Sequence, residues 1–251
     1  MNPFFSVVIP VFNCEKTITE TLKSVLNQTF TDYEIIVIND CSTDETLNII
    51  NNFKTNFNNI TIISNMRNIG VAESRNIGVK IAKGIYIAFL DGDDIWEPEK
   101  LKKQKDVIDK TNCDLCCTSY SFIDENTHCI KNTYNVPYYI SYKMLLKENF
   151  IGCSSVVIKK HLLLKFPMHS IYQHEDYALW LSIARNGYTI IGINEPLMKY
   201  RIHSNSRSYK KINAAKGRLI VYLKQEKLNI YKTIYYFCCY AINALRKFYR
   251  K

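Results

Sequence analysis

Three of the four residues in Asp91-Gly92-Asp93-Asp94 are carboxylates. Packed that closely they repel one another unless a cation is present. They follow a short apolar run, residues 85–90 (IYIAFL), so they sit where a buried strand ends. Hard oxygen ligands at such a point suit Mg²⁺ or Mn²⁺ held jointly with substrate phosphates. The plainer alternative is an acidic turn in which Asp93 or Asp94 caps the helix that begins near Pro98. A second polar cluster, Asn39-Asp40-Cys41-Ser42-Thr43-Asp44, follows another apolar run. An aspartate there can accept a hydrogen bond from a base N–H, such as a pyrimidine N3–H, although Asp, Ser and Thr also serve as ordinary helix caps. Arg75 falls one turn into a segment with helical spacing, near its positive end, which favours phosphate; the alternative is pairing with a surface carboxylate. His174-Glu175-Asp176 opens another helical segment. Two adjacent carboxylates there can supply a general base.

These clusters need a scaffold, and the first hundred residues supply one by alternation. Residues 4–9 (FFSVVI), 34–38 (EIIVI), 60–64 and 85–90 read as strands. Residues 15–27, 43–53 and 71–82 have helical spacing, with Ser42 or Thr43 as the N-cap of the second helix and Gly84 closing the third. The strands are β-branched and apolar on both faces, which is the pattern of a parallel sheet covered by helices. A βαβαβαβ order implies right-handed crossovers and a ligand site at the carboxyl ends of the strands. Beyond Asp91 the pattern is mixed. Helices are expected at 98–110 and at 176–186, the latter closed by Gly187. Strands are expected at 113–123, 154–158 and 188–193.

The combined motifs resemble glycosyltransferase family 2, the inverting enzymes of GT-A fold, over roughly residues 5–207. The resemblance rests on seven pieces in one order. They are Val8-Ile9-Pro10-Val11-Phe12-Asn13, Ser24-Val25-Leu26-Asn27-Gln28-Thr29, and Ile38-Asn39-Asp40-Cys41-Ser42-Thr43-Asp44. Next come Asn68-Ile69-Gly70 with Arg75-Asn76-Ile77-Gly78, Phe89-Leu90-Asp91-Gly92-Asp93-Asp94, Glu175-Asp176, and Tyr200-Arg201-Ile202-His203 with Ser204-Asn205-Ser206. The resemblance implies a Rossmann-like, mostly parallel central sheet flanked by helices, and transfer of a sugar from a nucleotide-sugar, with a UDP-sugar favoured. It implies that Asp40 contacts the uracil, that Pro10 and Phe12 line the base pocket, and that Arg75, Asp91 and Gly92 lie along the nucleotide. It casts Asp93 as direct ligand of Mn²⁺ or Mg²⁺, with Asp91 holding the ribose or the metal's water shell and His203 adding a metal or diphosphate contact. Asp176 takes the role of catalytic base, with Glu175 positioning it or the acceptor. The family often has Asp-Asp-Gly where this chain has Asn39-Asp40-Cys41, so a cysteine stands in place of a flexible glycine.

The chain has 251 residues and a net charge of +10. From Tyr209 onward there are eight Lys, three Arg and one Glu, so the whole excess lies at the C-terminus and residues 1–208 are balanced. Nucleic-acid enzymes place basic residues around the working site instead. We therefore expect a GT-A domain over 1–208, with a nucleotide half (1–95) and an acceptor half (96–208), followed by a basic amphipathic helical tail over 209–251. Such a tail suits an anionic membrane surface, with the enzyme peripheral on the cytoplasmic face and acting on a glycan or lipid-linked acceptor. The N-terminal residues lead us to expect no signal peptide, and no apolar run of about 20 residues is present in the sequence. The nine cysteines read as reduced thiols. Cys113, Cys116, Cys117 and Cys129 lack a second compact ligand pair for zinc. A dehydrogenase is disfavoured because no G-x-G-x-x-G follows the first strand. A nucleotidyltransferase would want a glycine-rich basic loop where Pro10–Cys14 stands. A catalytically silent membrane-associated binding module would not need Asp40, Asp93 and Asp176 together.

Overall fold

The computed structural model describes residues 2–171, 174–202 and 211–249, leaving aside the side chains of 131–132, 211–213 and 244–249. Among these residues the strands form one nine-stranded sheet. Its first half is the alternating unit: β1 (Phe5–Val11), α1 (Ile18–Leu26), β2 (Tyr33–Asn39), α2 (Thr46–Asn56), β3 (Ile60–Ser64), α3 (Val71–Ile81) and β4 (Tyr86–Phe89). Strands β3, β2, β1 and β4 lie side by side and all pair in parallel, with Val8 opposite both Ile36 and Phe89. Every residue of β1 is buried, as a strand covered on both faces requires.

The second half is mixed. It runs β5 (Ile95–Trp96), α4 (Lys100–Thr111), β6 (Leu115–Ile123), β7 (Cys129–Tyr134), α5 (Tyr142–Lys147), β8 (Val157–Lys159), α6 (Lys160–Lys165), α7 (Glu175–Arg185) and β9 (Ile190–Arg201). Strand β8 joins the halves, pairing antiparallel with both β4 and β6, while β6 and β9 are parallel. The chain then forms α8 (Lys211–Ile220), a π-helical turn (Val221–Gln225) and α9 (Ile230–Tyr249).

Apolar side chains fill both faces of the sheet. On one face Val8, Ile36, Ile38 and Phe89 pack with Val79, Leu162 and Trp180 from α3, α6 and α7. On the other, Val7, Ile9, Ile35 and Val37 pack with Ile18, Leu22, Ile50 and Leu101 from α1, α2 and α4. Val221 and Tyr222 of the π-helical turn belong to the first of these layers, so the C-terminal segment is packed into the core.

Local details differ from the sequence reading in instructive ways. Helix α2 starts at Thr46, and neither Ser42 nor Thr43 caps it. Those two residues instead bond the loop after β1: the Asn13 N–H donates to Ser42 Oγ, and the Thr43 N–H to Asn13 Oδ1. Gly84 does not close α3, which ends at Ala82 in an extended conformation. Its glycine is required by contact, since a Cβ there would lie 2.6 Å from the Ser6 nitrogen of β1. Residues 153–155 form a 3-10 turn, and the strand begins only at Val157. Gly187 does close α7, at a φ of +80°.

Candidate active site

The loops after β1 and β2 are laced together at the carboxyl edge of the sheet. Besides the two Asn13 bonds, the Cys14 N–H donates to Thr46 Oγ1 and the Glu15 N–H to Asp44 Oδ2. Both loops turn through left-handed backbone, with φ of 53° at Asn13 and 64° at Cys41. Cys41 therefore occupies a conformation natural to glycine, and the loop keeps the shape that a glycine would give. Pro10 is buried within β1, while the Phe12 ring is 47% exposed at its mouth.

Asp40 is buried and fully engaged. Its Oδ1 accepts from the Ile69 N–H (2.9 Å) and from Asn65 Nδ2 (2.8 Å), and its Oδ2 accepts from the Gly70 N–H (2.8 Å). One carboxylate thereby fixes the 65–70 loop against the end of β2. Gly70, at a φ of +87°, lets the chain turn there into α3.

The acidic loop after β4 divides its labour. Asp94 points inward: its Oδ2 accepts from Ser154 Oγ (2.5 Å) and its Oδ1 from the Arg201 N–H (3.0 Å). Burial, followed by the charges of Asp93 and Asp91, holds its carboxyl well above the ordinary range. Asp94 is thus a tie between the 3-10 turn and the end of β9. It caps no helix; α4 begins at Lys100. The Gly92 carbonyl accepts from Thr17 Oγ1 (2.8 Å) and Thr21 Oγ1 (3.1 Å). A Cβ at Gly92 would lie 3.0 Å from both Cys14 Sγ and Val11 Cγ1, so the loop rests directly on the β1 edge.

Arg75 joins the two acidic motifs. Its Nη2 lies 2.5 Å from Asp91 Oδ1 and its Nη1 lies 3.1 Å from Glu175 Oε1. Burial alone would lower the pKa of this guanidinium, yet neighbouring negative charge, Asp91 foremost and Glu175 contributing, keeps it raised well above the usual value. The expected partner of Arg75 was a diphosphate; in the structure both terminal nitrogens serve carboxylates within the protein. Its buried Nε has no protein partner. Asp176, next to Glu175, is half-buried in the first turn of α7, with its Oδ1 accepting from the Tyr177 N–H (2.7 Å).

Two residues that the motif reading did not assign hold this arrangement. Ser154 also accepts from the Asp91 N–H (3.0 Å), so it contacts both ends of the acidic loop. Arg201 is buried, donates from Nε to the Asp93 carbonyl (2.8 Å), and pairs with Glu20 (2.6 Å). No signal in the spacing marks Ser154. Arg201 lay within the Tyr200–His203 motif, but its partners are 74 or more residues away in sequence.

Among the described residues, no three His, Cys, Asp or Glu side chains converge to hold a metal unaided. Asp91 and Asp93 offer two carboxylates at most, which is the donor set Mg²⁺ or Mn²⁺ uses when substrate phosphates complete its coordination. The residues present therefore fit a metal shared with a diphosphate. His203, Ser204, Asn205 and Ser206 lie outside the described residues.

A parallel α/β half that offers an acidic loop at a strand end, joined to a mixed half that supplies a second acidic pair, is the GT-A arrangement. The family model for glycosyl transferase family 2 matches residues 6–163, and the chain belongs to that family. It is a glycosyltransferase. The chain is 35% identical over 245 residues to TuaG of Bacillus subtilis (strain 168), a glycosyltransferase assigned to teichuronic acid biosynthesis, covering 98% of this chain and 97% of that one. It is also 35% identical over 243 residues to the Escherichia coli UDP-Glc:alpha-D-GlcNAc-diphosphoundecaprenol beta-1,3-glucosyltransferase WfgD, covering 96% of this chain and 94% of the relative. Among solved structures, S. aureus TarS 1-349 in complex with UDP-GlcNAc shares the fold at a TM-score of 0.72 and 20% identity, over 96% of this chain and 72% of that one.

Proposed function

We propose that the protein transfers a sugar from a UDP-sugar to a hydroxyl of a lipid-linked glycan, with inversion, during surface polysaccharide synthesis. The carrying observation is the Arg75 bridge, which brings Asp91 of the acidic loop and Glu175 of the α7 start to one guanidinium. A metal shared with a donor's diphosphate, and an acceptor's hydroxyl, need such neighbouring acidic groups of different duty. TuaG and WfgD both match over nearly the whole chain: WfgD supports the lipid-linked acceptor by its name, and TuaG supports a place in polysaccharide synthesis.

In this reading Pro10, Phe12, Asp40 and the 65–70 loop frame the uracil, and Asp91 and Gly92 flank the ribose and diphosphate. Asp93, with Asp91 and His203, would hold Mn²⁺ or Mg²⁺; when bound, the ion neutralises charge on the departing diphosphate. Asp176 removes the proton of the acceptor hydroxyl. The oxygen attacks the anomeric carbon as the bond to the diphosphate oxygen breaks, and UDP leaves from the opposite face. Glu175, anchored by Arg75, sets the position of Asp176. The basic C-terminal segment keeps the enzyme on the anionic cytoplasmic face of the membrane, where a lipid-linked acceptor resides.

Calorimetric titration with UDP, with and without Mn²⁺, tests the donor site. Metal-dependent binding that weakens at least tenfold in Asp93→Asn is expected. Equal binding with and without metal in both proteins would remove the metal-assisted reading. Binding of GDP or CDP but not UDP would remove the uridine assignment.

A further inference from the structure

The last helix is apolar on two opposite sides; one is packed on the protein and the other is exposed, with Lys147 Nζ of α5 5.9 Å from the centre of the Tyr235 ring. Inward, Thr233 is buried, Tyr236 and Phe237 pack against the core, and the Arg218 guanidinium lies 4.8 Å from the centre of the Tyr240 ring. Outward, Tyr231, Ile234, Tyr235, Cys238 and Ile242 follow one another at helical spacing, and all are exposed. Tyr231 is 82% exposed, and Ile234, Tyr235 and Ile242 are 50–55% exposed. Ile220 and Leu223, in α8 and the following turn, are exposed too.

The charge carried by α9 itself has one sign. Helix α9 contains no acidic residue; Lys232, Arg246 and Lys247 lie within it, and Arg250 and Lys251 follow in the sequence. The acidic residue of the preceding turn, Glu226, is consumed internally by Arg185 (3.2 Å) and Tyr142 (2.6 Å). A second copy of this chain laid on the stripe would bring the same cations into contact. A bilayer with anionic headgroups matches both the apolar stripe and the basic sequence of the helix. No helix among the described residues is long and apolar enough to cross a membrane, so the stripe would be used lying flat.

We infer that the outward face of α9, centred on Tyr231, Ile234, Tyr235 and Ile242, is a preformed docking surface for an anionic lipid bilayer. The inference rests on the membrane-face reading above and gives it a location. Because the opposite face of α9 is already packed on the domain, docking requires no folding of the helix. It presents the bilayer to a module whose α8 touches the start of the catalytic helix, where the His174 ring nitrogen meets the Ala214 carbonyl at 3.1 Å.

The test uses the full chain with vesicles of phosphatidylcholine alone, or mixed with about 30% phosphatidylglycerol, in a flotation assay. Ile234→Ser/Tyr235→Ser/Ile242→Ser is compared with the unaltered protein. Expected is binding to the mixed vesicles, at least tenfold weaker in the triple variant, with an unchanged Tm and unchanged Mn²⁺-dependent UDP binding. Equal binding by both proteins, or no binding by the unaltered protein, overturns the inference. So does a dimer in solution that the substitutions convert to monomer, since a second copy would then cover the stripe. Loss of UDP binding in the unaltered protein speaks against the transferase reading alone, and leaves the vesicle result to stand by itself.

Discussion

Arg75 and Glu175 are a hundred residues apart in the chain and 3.1 Å apart in space. The contact closes the gap between the nucleotide half and the acceptor half through one buried cation. Removing that cation takes from buried Glu175 its ion pair and leaves Asp91 beside two further carboxylates. Breaking a buried pair by deleting one partner costs about 3–5 kcal/mol. Arg75→Ala is expected to fall at the lower end, because Asp91 is partly exposed and can recruit water. Urea unfolding measures this, and a double cycle with Glu175→Gln should show coupling. A loss below about 1 kcal/mol would mean the bridge contributes little.

Asp176→Asn separates chemistry from binding. The side chain keeps its size and its acceptor oxygen for the Tyr177 N–H, but it no longer takes a proton. Transfer to acceptor should slow by about 10²–10⁴-fold, while Mn²⁺-dependent UDP affinity stays within about twofold. Single-turnover transfer assays and calorimetry decide it. Retained transfer would assign the base elsewhere.

Lys100 is buried without a carboxylate partner among its contacts. Its Nζ donates to Gln104 Oε1 (2.7 Å) and lies 4.0 Å from the centre of the Trp96 ring. Burial pushes its pKa down to about 7. Below that pH the lysine is charged in both states, and folding carries the full cost of burying it. Between about 7 and the unfolded value near 10.4 the unfolded chain binds the extra proton, so stability rises with pH across that window. Lys100→Met should therefore raise Tm at pH 6, by roughly 2–4 °C per kcal/mol gained. Near pH 10 the gain should vanish or reverse, because Gln104 loses a donor. A pH-independent effect would show that the ammonium is well tolerated where it lies.

Cys41 tests the loop that departs from the family pattern. At its φ of 64° a glycine is free of strain. Cys41→Gly should stay within about 1 kcal/mol of the unaltered protein and keep UDP binding. Cys41→Val, β-branched in left-handed backbone, should cost about 1–2 kcal/mol. Chemical denaturation of the three proteins gives the order directly.

The parallel half of the sheet was legible because its strands are unbroken β-branched runs and each is separated by one amphipathic helix. The limits of β3 match the sequence reading residue for residue. The second half was less so. Strand β5 is two residues long, and β6 shifts register near Ser119, so neither leaves a clean period. Residues of the candidate site were recognisable by type and order, but their partners were not. That the Asp94 carboxylate turns inward to Ser154 and the Arg201 N–H is decided by packing between distant segments. Spacing holds no record of it. Arg75 shows the same limit: its helical position was clear, but the carboxylates it would serve depended on how α7 meets the β4 loop.

Helix α9 also sets a handling limit on the protein. A stripe that includes two tyrosines and two isoleucines, kept in water, invites non-specific aggregation, not a defined dimer, as concentration rises. Purified chain should therefore have a solubility ceiling that mild detergent or anionic lipid lifts and that salt lowers. Recovery during overexpression should follow the membrane area a host cell can offer more closely than the quality of the core.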